Sequence, residues 1–396
     1  MPHPDPASPS PAADRARVSE AIVQRAKDLG FALAGVVATS PSSFREQFRE
    51  WLQAGCHGEM GYLERNVEDR LDPGVFQENA RSILIVADQY ADRADDANPV
   101  SESAEGGAAR GRIARYARGE DYHRVMKKRL HQLSDALRRE YPGEVFRAFV
   151  DTVPVLEREH AARAGMGWIG KHTLLIHPRR GSWLLLGGIV TTLELAPPRT
   201  QRVEPDRCGS CTRCIDACPT DAITPYRVDA SRCISYLTIE HRSPIRREFF
   251  EAMGDWIFGC DICQEVCPHN SVRSGKVPTG RAHPAYAERT DSFDLLEVLG
   301  WTEEERRMAF AKSALKRAKL AMMKRNAVIA AGNALSSRDD PALRAKITHL
   351  ACDREESGQV RDAARTVLDL LAQCDGSADE ASPTRQSESR DPGESD

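Results

Sequence analysis

The chain has 396 residues, of which 41% are hydrophobic and 29% are charged, with a formal net charge of −4. This length predicts two or three domains with buried cores. The longest apolar run, residues 183–190, is far shorter than the roughly 20 residues of a membrane-spanning helix. The acidity lies at the two ends, since residues 14–374 carry a net charge of +2. The charge therefore does not exclude a nucleic-acid partner.

The two ends have the composition of disordered tails. Residues 1–13 are rich in Pro, Ala and Ser, and residues 375–396 are polar and acidic. The N-terminal segment has no basic region, apolar region or twin arginine of an export signal, so we expect a cytoplasmic protein. Eleven cysteines in such a chain favour metal or redox chemistry over disulfides.

Residues 14–196 have the pattern of one α/β domain. Hydrophobic periodicity predicts helices at 15–29, 43–54, 121–140 and 156–164. It predicts strands at 82–88, 145–150, 173–177 and 182–193, with a polar loop at 91–111. Asp151 directly follows one strand, at an edge where α/β sheets present functional groups.

The remaining chain divides into two further units. Residues 197–290 begin with a Pro- and Arg-rich linker at 197–205 and show little periodicity, as expected where a cofactor organises the core. Residues 291–374 are helical, with helices predicted at 294–299, 303–310, 315–335, 341–351 and 359–373. Their lengths fit HEAT-like hairpins, and an ordinary helical cap fits them equally well.

Two cysteine runs carry the strongest signal in the sequence. They are Cys208-x2-Cys211-x2-Cys214-x3-Cys218-Pro219 and Cys260-x2-Cys263-x3-Cys267-Pro268, with Cys233 between them. In bacterial ferredoxins the fourth cysteine of such a run binds the other cluster. We therefore predict two [4Fe–4S] clusters. The first takes Cys208, Cys211, Cys214 and Cys267, and the second takes Cys218, Cys233, Cys260 and Cys263.

Other interpretations of the cysteines are weaker. Four thiolates also suit structural zinc, but the spacing followed by proline favours clusters. Cys56, Cys352 and Cys374 are isolated, and we interpret them as buried or incidental thiols. Clusters transfer electrons and do no substrate chemistry alone, so the α/β domain must hold an acceptor. It has neither a GxGxxG after a strand nor a Walker A motif, and the residues alone leave that acceptor unidentified.

Six stretches of the sequence resemble motifs of the epoxyqueuosine reductase family. They are residues 55–63, 115–123, 150–158, 164–172, 232–240 and 259–264. The resemblance covers nearly the whole chain between the tails. Two departures are visible, because Asp221 stands where Gly commonly follows Cys-Pro-Thr, and the acidic tail is extra.

The resemblance implies an oxidoreductase that reduces epoxyqueuosine to queuosine at the tRNA wobble position, the last step of queuosine biosynthesis. It implies cobalamin and two [4Fe–4S] clusters, with a cobalamin-binding fold shared with reductive dehalogenases. The cofactor would lie between the α/β core and the ferredoxin-like module. Two alternatives are a soluble dehalogenase-like reductase, which would not need the basic helical unit, and an electron-transfer module, which leaves residues 14–195 without a purpose.

The resemblance assigns roles to particular side chains. Asp151 becomes the proton donor, and its apolar neighbours favour a raised pKa; the alternative is that Asp151 caps the following helix. His57 is given a structural role. The candidate cobalamin contacts are Arg65, Tyr116, Asp151, Arg158, Gly170, Lys171, His172 and Ser182.

A basic stretch at residues 306–325 holds eight cations and no acid. With a tRNA substrate implied, we predict that it contacts phosphates; a solvated basic helix is the alternative. The predicted tRNA-binding residues are Lys316, Arg317, Lys319, Lys324 and Arg325. We further expect a monomer, an electron donor that the sequence does not identify, and no membrane association.

Overall fold

The computed structural model describes residues 11–92, 107–271 and 280–379. Most of the polar loop predicted at 91–111 and the outer parts of both predicted tails lie outside these ranges. The first helix begins at Pro11 and the last ends at Asp379. Residues 11–13 and 375–379 are therefore helical and not part of disordered tails. Proline suits the first turn of a helix, since its missing N–H has no intrahelical partner there.

The N-terminal unit contains six helices and seven strands within its described residues. The helices are α1 (Pro11–Asp28), α2 (Arg45–Gln53), α3 (Val67–Leu71), α4 (Pro73–Phe76), α5 (Tyr122–Glu140) and α6 (Glu157–Arg163). The strands are β1 (Leu33–Ala38), β2 (Ser82–Gln89), β3 (Arg110–Ile113), β4 (Phe146–Phe149), β5 (Trp168–Ile169), β6 (Leu175–Ile176) and β7 (Leu184–Thr191).

A four-stranded sheet of order β1-β2-β7-β4 forms the centre of this unit, and all its pairs are antiparallel. Helices α1 and α5 cover one face, and α4 and α6 cover the other. Every residue of β2 is buried, as its continuous apolar run requires. Because neighbouring strands run in opposite directions, the sheet has no common carboxyl edge, and a different feature must position Asp151.

Strand β1 is absent from the sequence prediction. Its segment is short and contains Gly35, which lowers strand propensity. The structure explains the glycine, since a Cβ at this position would lie 2.9 Å from the carbonyl oxygen of Ala164. Close packing of β1 against the end of α6 therefore explains why position 35 is a glycine.

The later units contain eight helices and four strands within their described residues. The helices are α7 (Arg213–Asp216), α8 (Ile234–Ile239), α9 (Ile262–Glu265), α10 (Leu295–Gly300), α11 (Glu303–Ala309), α12 (Leu320–Leu335), α13 (Pro341–Cys352) and α14 (Gly358–Asp379). The strands are β8 (Ile223–Thr224), β9 (Arg227–Val228), β10 (Trp256–Phe258) and β11 (Ser292–Asp294).

The three units interleave through strand β3. It belongs to the N-terminal unit in sequence, yet it pairs in parallel with β10 and antiparallel with β11. Ile113, Phe258 and Leu295 consequently share one buried core. Among the described residues, no helix has both the length and the apolar character needed to cross a bilayer.

The helix predicted at 315–335 begins later than expected. A 3-10 turn at Ala314–Arg317 precedes α12, and Ala318 and Lys319 have extended backbones. The Ser313 side chain accepts the N–H of Leu315 and starts the turn. The exposed cations before Leu320 therefore lie on an irregular segment and not on a continuous helix.

Candidate active site and cluster-binding thiols

Asp151 lies in the loop between β4 and α6 with a φ of 55°. Aspartate is among the residues that tolerate this left-handed conformation. Its N–H donates to the Glu157 carboxylate at 3.0 Å, so the first residue of α6 fixes the loop. The residue that precedes α6 at its cap position is Leu156. Asp151 does not cap this helix, and that alternative role is wrong.

The Asp151 carboxylate ends a chain of hydrogen bonds from helix α5. Its Oδ2 accepts from Tyr122 Oη at 2.8 Å and lies 3.1 Å from His123 Nε2. The other ring nitrogen of His123 is 2.9 Å from Asp121 Oδ1. Asp121 is the N-cap of α5, so the helix start holds His123 between two carboxylates.

These contacts determine which side chains around Asp151 are protonated. Burial favours a raised pKa for Asp151, but hydrogen bonds from His123 and Tyr122 hold it below its ordinary value. Burial alone would lower the pKa of His123, whereas its bonds to Asp121 and Asp151 raise it to about 9. Burial, aided by the Asp151 charge, raises the pKa of Glu157 to about 8. The expectation of a raised pKa for Asp151 is therefore wrong, and His123 and Glu157 hold the protons.

A pH-dependent contribution of His123 to stability follows. Its pKa is higher in the folded protein than the unfolded value of about 6.5, so its contribution is complete below pH 6.5 and is lost as the pH rises through about 9. We expect His123→Gln to lower the thermal midpoint most near pH 6 and progressively less towards pH 10.

The measurement compares apparent unfolding midpoints of the wild type and the variant from pH 6 to 10. His131→Gln is the matched control, because His131 is an exposed histidine on the same helix. A destabilisation by His123→Gln that stays constant across this range would contradict the assigned protonation.

Side chains from all three units surround Asp151. Tyr62 has a pKa raised by burial, and the charges of Glu240, Arg317 and Asp151 all act on it. Glu240 follows α8, and Arg317 lies in the turn before α12, 2.5 Å from Glu240. The carboxylate thus lies in a recess where the α/β, cysteine-rich and helical units meet.

The seven cysteines of the two runs and Cys233 are all free thiols, and the two predicted sets of four are called the first and second thiol groups. Burial raises the pKa of Cys267 to about 11, and Cys208, Cys214 and Cys211 add to this rise. Burial likewise raises the pKa of Cys260, with contributions from Cys233 and Cys218. Cys263 interacts with Cys260, Cys233 and, from the first group, Cys214. The assignment of the eight cysteines to two clusters stays a prediction.

The first thiol group borders an open pocket. Among the described residues, no three His, Cys, Asp or Glu side chains converge on the position of one metal ion. The first group, Cys208, Cys211, Cys214 and Cys267, lines a common pocket.

The second thiol group faces the Asp151 recess. The charge of Cys263 acts on Arg158, the second residue of α6, which follows the Asp151 loop. Gly259, next to Cys260, packs near the Tyr116 ring, and that ring contacts Tyr122 at a centroid distance of 6.1 Å. The second group therefore lies closer to the candidate acid, with aromatic side chains between them.

Comparisons with known proteins place the chain in a family. A sequence model described as "4Fe-4S double cluster binding domain" matches residues 207–270, and one described as "Epoxyqueuosine reductase QueG, DUF1730" matches residues 70–152. An epoxyqueuosine reductase from Pseudomonas aeruginosa is 36% identical over 325 residues, covering 82% of this chain and 88% of the relative. The relative from Cellulophaga algicola is 39% identical, covering 78% and 96%. The chain belongs to the epoxyqueuosine reductase family.

Solved structures of this family have the same fold. An epoxyqueuosine reductase with an epoxyqueuosine-modified tRNA-Tyr stem loop matches with a TM-score of 0.77 and 26% identity, covering 94% of this chain and 96% of that one. The enzyme from Streptococcus thermophilus matches at a TM-score of 0.71 and 25% identity, covering 90% and 100%. The predicted family, mixed α/β fold, oxidoreductase class and iron–sulfur domain are confirmed.

The predicted cobalamin contacts occupy different places in this family member. Tyr116, Asp151 and Arg158 line or border the recess, and Arg65 is exposed. Lys171 instead donates to the carbonyls of Gly209 and Cys211 at 2.7 and 2.9 Å. Among the described residues, the hydrogen bonds of the Lys171 side chain are to the first cysteine run and not to the recess.

The three remaining predicted contacts pack against other parts of the chain, and their role towards cobalamin stays a prediction. His172 lines the pocket of the first thiol group, and its Nε2 is buried without a hydrogen-bond partner among the described residues. Ser182 is buried and donates to Gln264 at 2.8 Å. A Cβ on Gly170 would lie 2.4 Å from Ile176. His57 is buried with its Nε2 3.2 Å from Glu64, in keeping with a structural role.

The predicted tRNA-binding cations divide into two classes. Lys316, Arg317 and Lys319 are exposed, and the charge of Arg317 acts on Asp151. Lys324 is largely buried in an ion pair with Glu356 at 2.9 Å. Arg325 is fully buried and donates to backbone carbonyls of α8 and the segment after it. Including Arg325 in a tRNA surface is therefore wrong, because its charge fastens α12 to the cysteine-rich unit.

Sequence reasoning missed several residues of the recess. They are Arg70, Tyr122, His123, Glu157 and Glu240. Tyr122 and His123 belong to the 115–123 motif and directly follow Asp121, the N-cap of α5. Their position at the start of this helix could have identified them from the sequence. Asp221, the departure from the family pattern, has a φ of 50°. Glycine favours that conformation and aspartate tolerates it, which explains the exchange.

Proposed function

We propose that this protein reduces epoxyqueuosine in tRNA to queuosine, using cobalamin and two [4Fe–4S] clusters. The observation that carries the proposal is the recess around Asp151, which joins an acid, the Cys263 thiol group and the exposed cations at Lys316 and Arg317. The family structure with an epoxyqueuosine-modified stem loop supports the substrate. The reaction consumes two electrons and two protons and releases the epoxide oxygen as water.

The two thiol groups fit the two clusters. Cys208, Cys211, Cys214 and Cys267 would hold the first cluster, and Cys218, Cys233, Cys260 and Cys263 the second. Clusters supply electrons singly. The second group borders the recess through Tyr116 and Arg158, so its residues would deliver electrons to the site of reduction.

The residues of the recess also fit a large amide-bearing cofactor. Arg70 has a buried Nε without a hydrogen-bond partner among the described residues, and burial lowers its pKa and that of Arg158. Such donors suit the amide oxygens around a corrin ring. We assign Arg70, Tyr116 and Arg158 to hold cobalamin, which when bound supplies the strongly reducing cobalt chemistry that an epoxide requires.

Asp151 and His123 would together supply the proton. The Asp151 carboxylate is ionised in the resting protein, while the neighbouring His123 is protonated and 3.1 Å away. His123 can pass its proton to the Asp151 carboxylate, and Asp151 then donates that proton to the epoxide oxygen. Tyr122 fixes the carboxylate orientation. A family structure from Bacillus subtilis, described with its catalytic aspartate loop swung out of the active site, supports a mobile acid of this kind.

The exposed cations before α12 would position the tRNA. Arg317 acts on Asp151, and Lys316 and Lys319 are its exposed neighbours in the sequence. Phosphate contacts to these three cations would set the register of an anticodon stem loop. The modified base would have to leave its stack to reach Asp151.

Charge reversal tests this contact. Replacing Lys316, Arg317 and Lys319 by Glu is expected to weaken stem-loop binding and reduce its salt dependence, because fewer counterions are released. Cobalt and iron contents should not change. The control reverses Lys27, Arg139 and Arg354, three exposed cations elsewhere. Unchanged affinity of the first variant at low salt would refute the assignment.

We further propose that the protein is a cytoplasmic monomer, with units at residues 14–196, 197–290 and 291–374. The free thiols of the described cysteines suit a reducing compartment. Sedimentation of the cofactor-loaded protein tests the monomer directly.

A reconstituted reaction tests the function. Anaerobically purified protein, with iron and cobalt quantified, is mixed with dithionite and an epoxyqueuosine-bearing stem loop. Mass spectrometry should record conversion to queuosine that depends on both metals. A fully loaded protein that binds the stem loop and leaves the epoxide intact would overturn the proposal.

A further inference from the structure

The first cysteine run is open to solvent between its ligands. Gly209, Ser210, Thr212 and Arg213 are all exposed, and a Cβ on Gly209 would meet no atom within 4 Å. The second run differs, because Asp261 between Cys260 and Cys263 is 1% exposed. External electrons therefore reach the first thiol group more directly than the second.

Cations line the pocket of this first group. Lys171, Arg207 and Arg213 border it together with Cys208 and Cys211, and no carboxylate is among its lining residues. Lys171 is fixed beneath the loop by its bonds to Gly209 and Cys211. Arg207 and Arg213 are exposed.

The neighbouring carboxylates already have partners. Glu204 pairs with Arg207 at 2.9 Å, and Asp216 accepts from Thr212 at 2.7 Å. Asp206 accepts from the Cys208 N–H at 2.7 Å and from the hydroxyl of Tyr226. Arg213 has no carboxylate within ion-pair distance among the described residues, so its charge is available to an incoming partner.

An exposed aromatic side chain adjoins these cations. Tyr226 is 48% exposed, and its N–H donates to the Lys171 carbonyl at 3.0 Å. Its bond to Asp206 holds the ring beside the Cys208 loop. Aromatic and Arg side chains are the groups that contribute most at transient protein interfaces.

We propose that this surface, formed by Lys171, Arg207, Arg213 and Tyr226, docks an acidic one-electron carrier protein. The inference rests on the proposed two-cluster function. Each docked carrier would lose one electron, and the first cluster would gain it; two carriers would then be oxidised for each epoxide reduced. Complementary charge would accelerate docking and make it sensitive to salt.

The test uses the cofactor-loaded full chain and a reduced plant-type ferredoxin as an acidic probe. The variant Arg207→Glu/Arg213→Glu should slow cluster reduction by ferredoxin roughly tenfold at low salt and flatten its salt dependence. Absorbance changes of the clusters give this rate without epoxyqueuosine. Arg207→Lys/Arg213→Lys should restore most of the rate, and Tyr226→Ala should weaken docking without changing the salt slope.

Four controls make the outcome decisive. Iron content, reduction by dithionite and stem-loop affinity should equal the wild type in the Glu variant, and Glu248→Lys/Glu251→Lys at a separate acidic pocket should not slow ferredoxin. An unchanged ferredoxin rate would overturn the proposal. So would weaker stem-loop binding, which would make this an RNA surface, or slower dithionite reduction, which would indicate cluster damage. Failure of the proposed function would instead leave epoxyqueuosine unreduced with either reductant.

Discussion

Replacing Asp151 by Asn is expected to reduce conversion of epoxyqueuosine by roughly 10²- to 10⁴-fold, the usual contribution of a general acid. The amide cannot carry the proton that the epoxide oxygen needs. It also removes the negative charge that raises the pKa of His123, so the proton supply is weakened as well. The rate is measured by mass spectrometry of the stem loop under single-turnover conditions.

Cofactor content separates this effect from misfolding. Asp151→Asn should retain iron and cobalt, because its side chain bonds only to Tyr122 and His123 among the described residues. Asp135→Asn is the control, since Asp135 is an exposed aspartate paired with Arg138. A near wild-type rate for Asp151→Asn with cobalamin bound would show that another group donates the proton.

Single cysteine substitutions should remove one cluster at a time and reveal which thiols share it. Each cluster contains four irons, so a variant should fall from about eight to about four irons per chain. Cys267→Ala should abolish the same electron paramagnetic resonance signal as Cys208→Ala, although 59 residues separate them in the sequence. Cys218→Ala should abolish the same signal as Cys260→Ala.

These variants test whether each run supplies one ligand to the other run's cluster, Cys218 to the second cluster and Cys267 to the first. Cys352→Ser is the control, because Cys352 is an exposed thiol outside both groups. It should retain both signals. If Cys218→Ala removed the Cys208 signal instead, each run would supply its own cluster and the assignment of the fourth ligands would be incorrect.

Local patterns were sufficient to predict the longer helices and three of the four strands of the central sheet. The apolar run of β2, the long amphipathic α5 and the cysteine spacing each reflect interactions among near neighbours. Strand β1 and the pairing of β3 with β10 depend on partners distant in sequence, such as the carbonyl of Ala164 beside Gly35. Periodicity contains no information about those contacts.

The acid and the thiols of the site could be predicted from the sequence, but the protonation states of its side chains could not. A motif identified Asp151, yet its pKa depends on Tyr122 and His123, which come from another helix. Likewise, a run of cations suggested one basic helix, whereas Arg325 is buried against backbone carbonyls of α8. Whether a charge faces solvent or a partner is decided by tertiary packing.

The most direct test of the central claim is the nucleoside composition of tRNA from the source strain with this gene removed. The proposed function predicts that epoxyqueuosine accumulates and queuosine disappears. A plasmid carrying the wild-type gene should restore queuosine, and one carrying Asp151→Asn should not. Unchanged queuosine in the deletion strain would contradict the proposed function.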